Sequence, residues 1–324
     1  MIYKIAELCQ NHNGDVELLW DMVHAAKESG ATHIKIQTIF ADRLSYRTQF
    51  ENGLKIKEKT FAIKRPYGEE YERLKPLELS LDVMSDFVQK CKKINVVPIT
   101  TCFARADIAI IKNLGFETIK VASYDCGSFQ LLRELKENFS NLIVSTGATY
   151  DDEIKNTANI LSNTNFHFLH CVTIYPTPII SLNLSRMQWL RQFSDRVGFS
   201  DHSLKERDGI MAPMCAIAMG AETFECHFTI IDRSKSKDGP VSVTPKEFLS
   251  LSDFCDLSPE EKNLRLADYD KDWKEKSSGS ATRPLSEEEL LNRDYYRGRF
   301  ASPRIQSKDG REMIYNWEEL PIEQ

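Results

Sequence analysis

The stretch TFECHFT (residues 223–229) alternates polar or ionisable side chains with apolar ones. Glu225 and His227 share one face, whereas two phenylalanines and a cysteine share the other. Strict alternation of this kind predicts a β-strand with one polar and one apolar face. A carboxylate and an imidazole placed side by side could transfer protons or bind a metal ion.

A second histidine could join His227 in binding a divalent metal ion. His202 follows the strand-like run RVGFSD (196–201), the last such run before TFECHFT. Neighbouring strands lie about 4.8 Å apart, so imidazoles at their ends could share one ion, with Glu225 or Glu7 beside it. A pair of hydrogen-bonded structural histidines is the alternative, and the residues alone leave both open.

Two lysines lie where a solvated side chain is not expected. Lys35 and Lys120 are enclosed in otherwise apolar strand-like runs. Two ammonium groups together with hydroxyl groups could bind a phosphate or a carboxylate. The hydroxyl groups at or near the ends of other runs belong to Thr101, Ser123, Ser145 and Ser200. The alternative is a structural ion-pair network of the lysines with Glu7 and Asp125.

Strand-like runs recur along the chain and alternate with helical patterns. Eight runs are present, at residues 2–9, 33–39, 96–102, 118–123, 141–146, 166–172, 196–201 and 223–229. Helical patterns occur at residues 16–29, 81–94, 107–113, 129–137, 151–161, 184–192, 208–219 and 245–253. Eight βα units in about 250 residues predict an α/β fold, a (β/α)8 TIM barrel. A doubly wound sheet is disfavoured because it usually has fewer strands and a glycine-rich first turn.

The barrel prediction fixes where the polar residues should lie. Catalytic groups of such barrels collect at the carboxyl ends of the strands. We therefore expect the polar face of TFECHFT to point into the barrel and its apolar face to meet the helices. Unpaired ionised groups inside a protein cost several kcal/mol, so packing alone does not explain their number here.

The organisation predicted is a barrel domain over residues 1–257 and a short C-terminal extension over 258–324. Residues 40–78 form a long charged excursion after the second strand, a candidate lid over the barrel mouth. The C-terminal extension reads as a polar linker and a short arm, with too little apolar content for a core of its own. We expect that arm to pack on the barrel or on a second subunit.

Composition excludes several classes of protein. The 324 residues carry a net charge of −6 with 28% charged residues, which argues against a nucleic-acid partner. No uncharged stretch reaches the roughly 18 apolar residues of a membrane span, and the N-terminus does not resemble a signal peptide. The eight cysteines form no CxxC pair, as expected for reduced thiols of a cytoplasmic protein.

Eight stretches together resemble the sialic acid synthase (N-acetylneuraminate synthase) family. They are AELCQNHNGD, IKIQT, TTCFARA, IKVASYD, STGAT, LHCVTIYPTP, GFSDHS and ECHFTIIDRSKSKDGP. The resemblance implies a TIM-barrel enzyme that joins phosphoenolpyruvate (PEP) to the aldehyde carbon of an open-chain N-acetylhexosamine. The implied products are a nine-carbon 2-keto acid and phosphate.

The resemblance also implies roles for individual residues. The implied PEP-binding residues are Lys35, Thr101, Lys120, Ser123, Ser145 and Ser200. The implied sugar-binding residues are Gln37, Asp125, Tyr175 and Asp238. His202 and His227 would hold Mn²⁺ or Mg²⁺, and the catalytic set is Glu7, Glu225, Lys35 and Lys120.

The chain departs from the family pattern on the sugar side. Asp125 stands where the family usually has glutamate, and Thr173 where an asparagine is common. The antifreeze-like domain that usually follows the barrel, and gives an arginine to the partner's sugar site, is expected to be absent or truncated. Arg297, Arg299 or Arg304 could take that arginine's place, and a homodimer stays possible.

Two other functions remain open on the sequence. One is a PEP-dependent synthase of a seven- or eight-carbon keto acid from a phosphorylated aldose, which would need basic groups for the distal phosphate, with Lys55, Lys57 and Arg65 available. The other is a barrel without catalytic activity that serves as a binding or scaffold protein.

Overall fold

A computed structural model describes residues 2–303 and 313–322. Eight parallel strands close into a barrel in which each strand pairs with the next along the chain and the last pairs with the first. They are β1 (Tyr3–Cys9), β2 (His33–Thr38), β3 (Val97–Cys102), β4 (Thr118–Val121), β5 (Asn141–Ser145), β6 (Asn165–His170), β7 (Val197–Asp201) and β8 (Thr223–His227). The predicted TIM barrel is confirmed.

Helices follow the strands and surround the barrel. Outside the excursion at residues 40–78, the helices up to residue 257 are Val16–Glu28, Leu81–Lys93, Ile108–Asn113, Phe129–Asn138, Asp151–Leu161, Arg186–Leu190, Lys205–Asp208, Met211–Ala218 and Pro245–Asp256. Local chemistry fixes their ends. The Asp15 side chain accepts hydrogen bonds from the first turn of Val16–Glu28, and Thr244 with Glu247 forms a capping box at Pro245–Asp256.

The two faces of β8 point as the alternation predicts. Phe224 and Phe228 are fully buried against Phe248 of the helix Pro245–Asp256. The centroid of the Phe248 ring is 5.4 Å from that of Phe224 and 5.8 Å from that of Phe228. Glu225 and His227 point into the barrel. Because successive side chains of a strand alternate in direction, burying the two phenylalanines outward forces the ionisable pair inward.

An apolar layer closes the barrel beneath the polar rim. Ile5, Ile99, Ile143 and Leu169 contact one another inside the barrel and are almost completely buried. Two residues further along β1 and β3 come Glu7 and Thr101, and Gln37 of β2 lies opposite Thr101. The strand register also places Glu7 opposite both Lys35 and His227. The layer separates the polar rim from the amino-terminal end of the barrel.

The excursion after β2 has structure of its own. It contains a one-turn helix (Gln49–Asn52), a hairpin (Leu54–Ile56 with Lys59–Ala62) and a longer helix (Tyr67–Leu74). Phe50 packs edge-on against Tyr295, at a centroid distance of 5.1 Å, so the excursion is tied to the C-terminal part of the chain. Lys55 and Lys57 lie on the hairpin, and Lys55 faces Glu58 at 3.8 Å.

Three helices follow residue 257, at Pro259–Tyr269, Trp273–Ser278 and Glu287–Tyr296. The first two contact the helix Met211–Ala218 on the barrel wall. Two short strands, Ser302–Pro303 and Met313–Ile314, pair near the end of the chain. The division of the chain at residue 257 stays a prediction.

Two expectations from composition can be compared with the structure. In the described part of the chain, no helix has the length and apolarity to cross a membrane. All eight cysteines are buried and free, as expected for reduced thiols.

Candidate active site

A cavity of about 510 Å³ opens at the carboxyl ends of the barrel strands. Its volume lies in the usual range for small-molecule sites. The predicted residues that line it are Lys35, Gln37, Thr101, Lys120, Ser123, Asp125, Ser145, Tyr175, Ser200, His202, Glu225, His227 and Asp238. Glu7 is fully buried beneath them and reaches the cavity through its partners.

Glu225 lies between the two buried lysines. Its carboxylate oxygens are 3.9 Å from Lys35 Nζ and 3.6 Å from Lys120 Nζ, and Ser200 donates to it at 2.9 Å. Burial alone would raise the pKa of Glu225, but the two ammonium groups lower it to about 2. The glutamate is therefore ionised at any physiological pH.

The two lysines differ in their electrostatic surroundings. Burial acts to lower the pKa of Lys35, but the carboxylates of Glu225 and Glu7 outweigh it and raise that pKa. Lys35 donates to Glu7, whose other oxygen accepts from Gln37 at 2.9 Å. Burial lowers the pKa of Lys120, which donates to Ser145 at 2.6 Å. Of the two ammonium groups, Lys120 therefore releases its proton more readily.

Four hydroxyl groups surround this pair of lysines. Register places Thr101 opposite Lys120 on the neighbouring strand, and Ser200 opposite Glu225. Ser123 lies within 3.0 Å of the Cys171 sulfur. Two ammonium groups with several hydroxyl groups, all nearly inaccessible to solvent, can bind a small dianion more strongly than water can.

His202 and His227, the two histidines expected to bind a metal ion, lie next to each other in the cavity. The ring centroids of His202 and His227 are 5.6 Å apart. His202 Nε2 is 3.0 Å from the Tyr175 hydroxyl, whereas the buried Nδ1 of His227 has no hydrogen-bond partner among the described residues. Burial and the neighbouring His227 lower the pKa of His202 to about 4, so its imidazole is neutral near pH 7.

Donor atoms of Cys9, His227 and Asp238 lie within 4.8 Å of one another. The sequence analysis did not assign Cys9, although alternation from Glu7 puts it on the inner face of β1. An imidazole, a thiol and a carboxylate this close together suit a divalent metal ion, so the residues present fit the expected class of metal.

Asp125 is held partly by the C-terminal part of the chain. Asp125 accepts hydrogen bonds from Ser128 at 2.8 Å and from Asn316 at 3.0 Å. Burial raises the pKa of Asp125 from 3.8 to about 6, even though these two bonds oppose the change. Asp125 therefore titrates within reach of physiological pH.

The chain is similar to synthases of pseudaminic, legionaminic and sialic acids. The sequence model of the NeuB family matches residues 22–257. The pseudaminic acid synthase of Campylobacter jejuni is 30% identical over 94% of this chain and 82% of its own. The chain belongs to the NeuB family. It is an enzyme that forms a carbon–carbon bond with PEP.

Two further relatives agree with this membership. The N,N'-diacetyllegionaminic acid synthase of Campylobacter jejuni is 30% identical over 76% of this chain and 73% of its own. The crystal structure of the N-acetylneuraminic acid synthetase from Leptospira borgpetersenii, in complex with citrate, aligns with a TM-score of 0.66 at 26% identity. That alignment covers 91% of this chain and 90% of the other.

In this NeuB-family enzyme the C-terminal segment forms one wall of the cavity. Glu288, Asn292, Tyr296, Arg299 and Phe300 line it, and none of them except Arg299 was named from the sequence. The helix Glu287–Tyr296 brings the first three to the mouth. Asn292 donates to the backbone oxygen of Thr173 at 2.8 Å, the position where the resemblance leads us to expect an asparagine.

The three arginines considered for the sugar site, Arg297, Arg299 and Arg304, differ in where they lie. Arg299 lines the cavity. Arg297 instead bonds Glu153 at 3.0 Å and does not line the cavity. Arg304 lies outside the described residues.

Proposed function

We propose that this enzyme condenses PEP with the open-chain form of an N-acetylated amino sugar, N-acetylmannosamine or a related hexose. The C3 atom of PEP forms the new bond to the aldehyde carbon, whose oxygen takes up a proton. Water adds at C2 of PEP, and the C2–O bond to phosphate breaks. The products are a nine-carbon 2-keto-3-deoxy acid and inorganic phosphate.

The position of Glu225 between Lys35 and Lys120 carries the proposal. Two buried ammonium groups share one carboxylate there, and Thr101, Ser145 and Ser200 border them. PEP brings a carboxylate and a phosphate, whose oxygens would accept hydrogen bonds from these two ammonium groups and from the neighbouring hydroxyl groups. The names of the relatives support a sugar as the second substrate.

Proton transfer is assigned by the shifted pKa values. Lys120, whose pKa burial lowers, is the better donor to the aldehyde oxygen or to the departing phosphate. Glu225, with a pKa of about 2, is a poor proton acceptor and serves mainly to hold both ammonium groups. Glu7, bonded to Lys35 and Gln37, is the remaining carboxylate for activating the water.

Metal binding is proposed at His202 and His227 with help from Cys9 and Asp238. A bound divalent ion would supply Lewis-acid polarisation of the sugar carbonyl. Imidazole and thiol donors favour Mn²⁺ over Mg²⁺, because Mg²⁺ prefers oxygen ligands. On the chain's side, Asp125 and Tyr175 would orient the sugar next to these residues. A cytoplasmic location and a homodimer stay predictions.

Phosphate release from PEP tests the proposal. Purified enzyme with Mn²⁺ should release phosphate only when a suitable sugar is added, across a panel of N-acetylhexosamines, 2,4-diacetamido hexoses and phosphorylated aldoses. The Lys120→Met variant should release none. Release with arabinose 5-phosphate or erythrose 4-phosphate alone would support the seven- or eight-carbon synthase instead. Failure to bind PEP would favour the scaffold.

A further inference from the structure

A group of positive charges lies at the mouth of the cavity, apart from the two buried lysines. We call Arg65, Arg73, Lys237 and Arg299 the mouth cluster; all four line the same cavity as Lys35 and Lys120. They come from the excursion after β2, from the loop after β8 and from the C-terminal segment. Three distant parts of the chain therefore converge on one place.

One carboxylate, that of Glu70, lies close to the three arginines of the cluster. Glu70 is 2.6 Å from Arg299, 3.1 Å from Arg73 and 3.8 Å from Arg65. Burial would raise the pKa of Glu70, but the hydrogen bonds from Arg73 and the charge of Arg299 lower it to about 2. The four cations and Glu70 together carry a formal charge of +3, and the carboxylates of Glu288 and Asp238 also line the cavity.

Donors in the mouth cluster are left without partners. Lys237 is exposed, and among residues 2–303 and 313–322 its ammonium group makes no hydrogen bond or ion pair, so it is free to meet a ligand from solvent. Arg299 is only 9% exposed, and its buried Nε has no hydrogen-bond acceptor among the described residues. Ion pairs that merely fastened the loops would leave neither the excess charge nor the buried, unused donor of Arg299.

The position of the cluster points to the acceptor sugar more than to PEP. Lys237 directly precedes Asp238, which lies beside His227, where the aldehyde end of the acceptor is proposed to bind. Arg73 donates to Gln10 at 2.8 Å, one residue beyond Cys9. The anionic groups of PEP already have Lys35 and Lys120 at the floor. If the aldehyde of the acceptor sugar binds near His227, the opposite end of the sugar would lie at the mouth of the cavity.

We propose that the mouth cluster binds a phosphate ester at the end of the acceptor remote from its aldehyde. This inference rests on the proposed function and narrows its acceptor to a phosphorylated N-acetylhexosamine. Forked guanidinium groups and an ammonium group match the several oxygens and double charge of a phosphate monoester. The ester stays intact, because bond formation occurs at the other end of the sugar.

Paired substrates and paired variants test this inference. Steady-state rates are measured with N-acetylmannosamine 6-phosphate and with N-acetylmannosamine, for the wild type, Lys237→Gln and the control Lys235→Gln. Lys235 is exposed and does not line the cavity. We expect Lys237→Gln to lower kcat/KM for the phosphorylated sugar about 10- to 100-fold, while the KM for PEP and the rate with the neutral sugar are unchanged. Lys235→Gln should match the wild type.

Several results would overturn it. Wild-type enzyme that uses both sugars equally well, or a Lys237→Gln variant that impairs both equally, would show that the cluster does not recognise the phosphate. A raised KM for PEP in Lys237→Gln would assign the cluster to PEP instead. In each case the synthase itself would still be active.

Binding without turnover separates this inference from the proposed function. The alditol of N-acetylmannosamine 6-phosphate lacks an aldehyde and cannot react, so calorimetry reports its binding alone. Tight binding to the wild type, weakened in Lys237→Gln but not in Lys235→Gln, supports the cluster even if no sugar supports phosphate release. Equal binding of the phosphorylated and unphosphorylated alditols would refute it.

Discussion

The carboxylate of Glu225 lies 3.6 Å from the ammonium group of Lys120, and both side chains are about 95% buried. An ion pair so far from water is costly to break, since the remaining charge has no solvent to stabilise it. Glu225 also lies 3.9 Å from Lys35, so one carboxylate holds two cations at the floor of the cavity. Glu7 pairs with Lys35 as well, so two buried carboxylates fix the positions of the two ammonium groups.

Replacing Glu225 by glutamine should therefore impair catalysis strongly. Without the carboxylate, Lys35 and Lys120 repel each other and the pKa of Lys120 falls further. We expect kcat to drop about 100- to 10,000-fold, measured as phosphate release. Glu206→Gln, on an exposed residue outside the cavity, is the matched control and should retain wild-type rates. Near-normal kcat for Glu225→Gln would contradict this role.

Asp125 should make acceptor binding depend on pH. Its pKa is about 6, so acidification below that value protonates the carboxylate that would accept hydrogen bonds from the sugar. The KM for the sugar should rise as the pH falls through 6 in the wild type. In the Asp125→Asn variant this pH dependence of the KM should disappear. Both enzymes use the same PEP, so dividing one pH profile of the KM by the other removes the effect of the titration of PEP itself. Parallel profiles would contradict the assignment.

The raised pKa of Asp125 also predicts how the stability of the protein depends on pH. Because the folded-state pKa of Asp125 is raised, the folded protein binds a proton between pH 3.8 and about 6 that the unfolded chain has released. The contribution of Asp125 to stability is therefore lost as the pH rises through this window. Denaturant unfolding of wild type and Asp125→Asn should show stability falling less with pH in the variant. An identical pH dependence would argue against the burial effect.

Metal removal should abolish turnover and leave the fold intact. Chelation followed by dialysis should stop phosphate release, and Mn²⁺ should restore it. Cobalt substitution gives a readout besides activity: a Cys9 thiolate ligand would produce a sulfur-to-metal charge-transfer band that is absent in Cys9→Ser. His227→Ala should lose metal affinity, whereas His24→Ala, on an exposed helix position, should not. A charge-transfer band unchanged in Cys9→Ser would exclude Cys9 as a ligand.

The outer face of β8 should contribute to stability and not to chemistry. Phe228 is fully buried against Phe248, so Phe228→Ala should lower the free energy of unfolding by about 3–5 kcal/mol. Tyr269→Ala, at a position 55% exposed, should change it by less than about 0.5 kcal/mol. Denaturant titration measures both. A small loss for Phe228→Ala would mean that its pocket collapses around the alanine.

The barrel and the inner rim could be predicted because they follow from local rules. Alternation within each strand decides which side chains face inward, so Lys35, Lys120 and Glu225 were found by their polarity in apolar runs. The same alternation put Cys9 inside, but a cysteine in an apolar run is compatible with plain packing. No local pattern distinguished a ligand from a core thiol there.

The outer parts of the site could not be predicted from the sequence. Glu70 and Arg299 are 229 positions apart in the chain, and their ion pair depends on how two irregular segments fold over the mouth. Asn316 reaches Asp125 from a segment that carries no sequence motif. Polar residues in loops take their positions from tertiary packing, which periodicity does not report.

Isotope tracing tests the central claim, the formation of a carbon–carbon bond between PEP and a sugar, most directly. Enzyme, Mn²⁺, [3-¹³C]PEP and an acetamido hexose or its 6-phosphate are incubated, and the products are followed by ¹³C NMR. The account predicts that the labelled carbon becomes a methylene bonded to the former aldehyde carbon of a 2-keto acid, with one phosphate released per bond. Label appearing only in pyruvate, or remaining in PEP with every sugar, would contradict it.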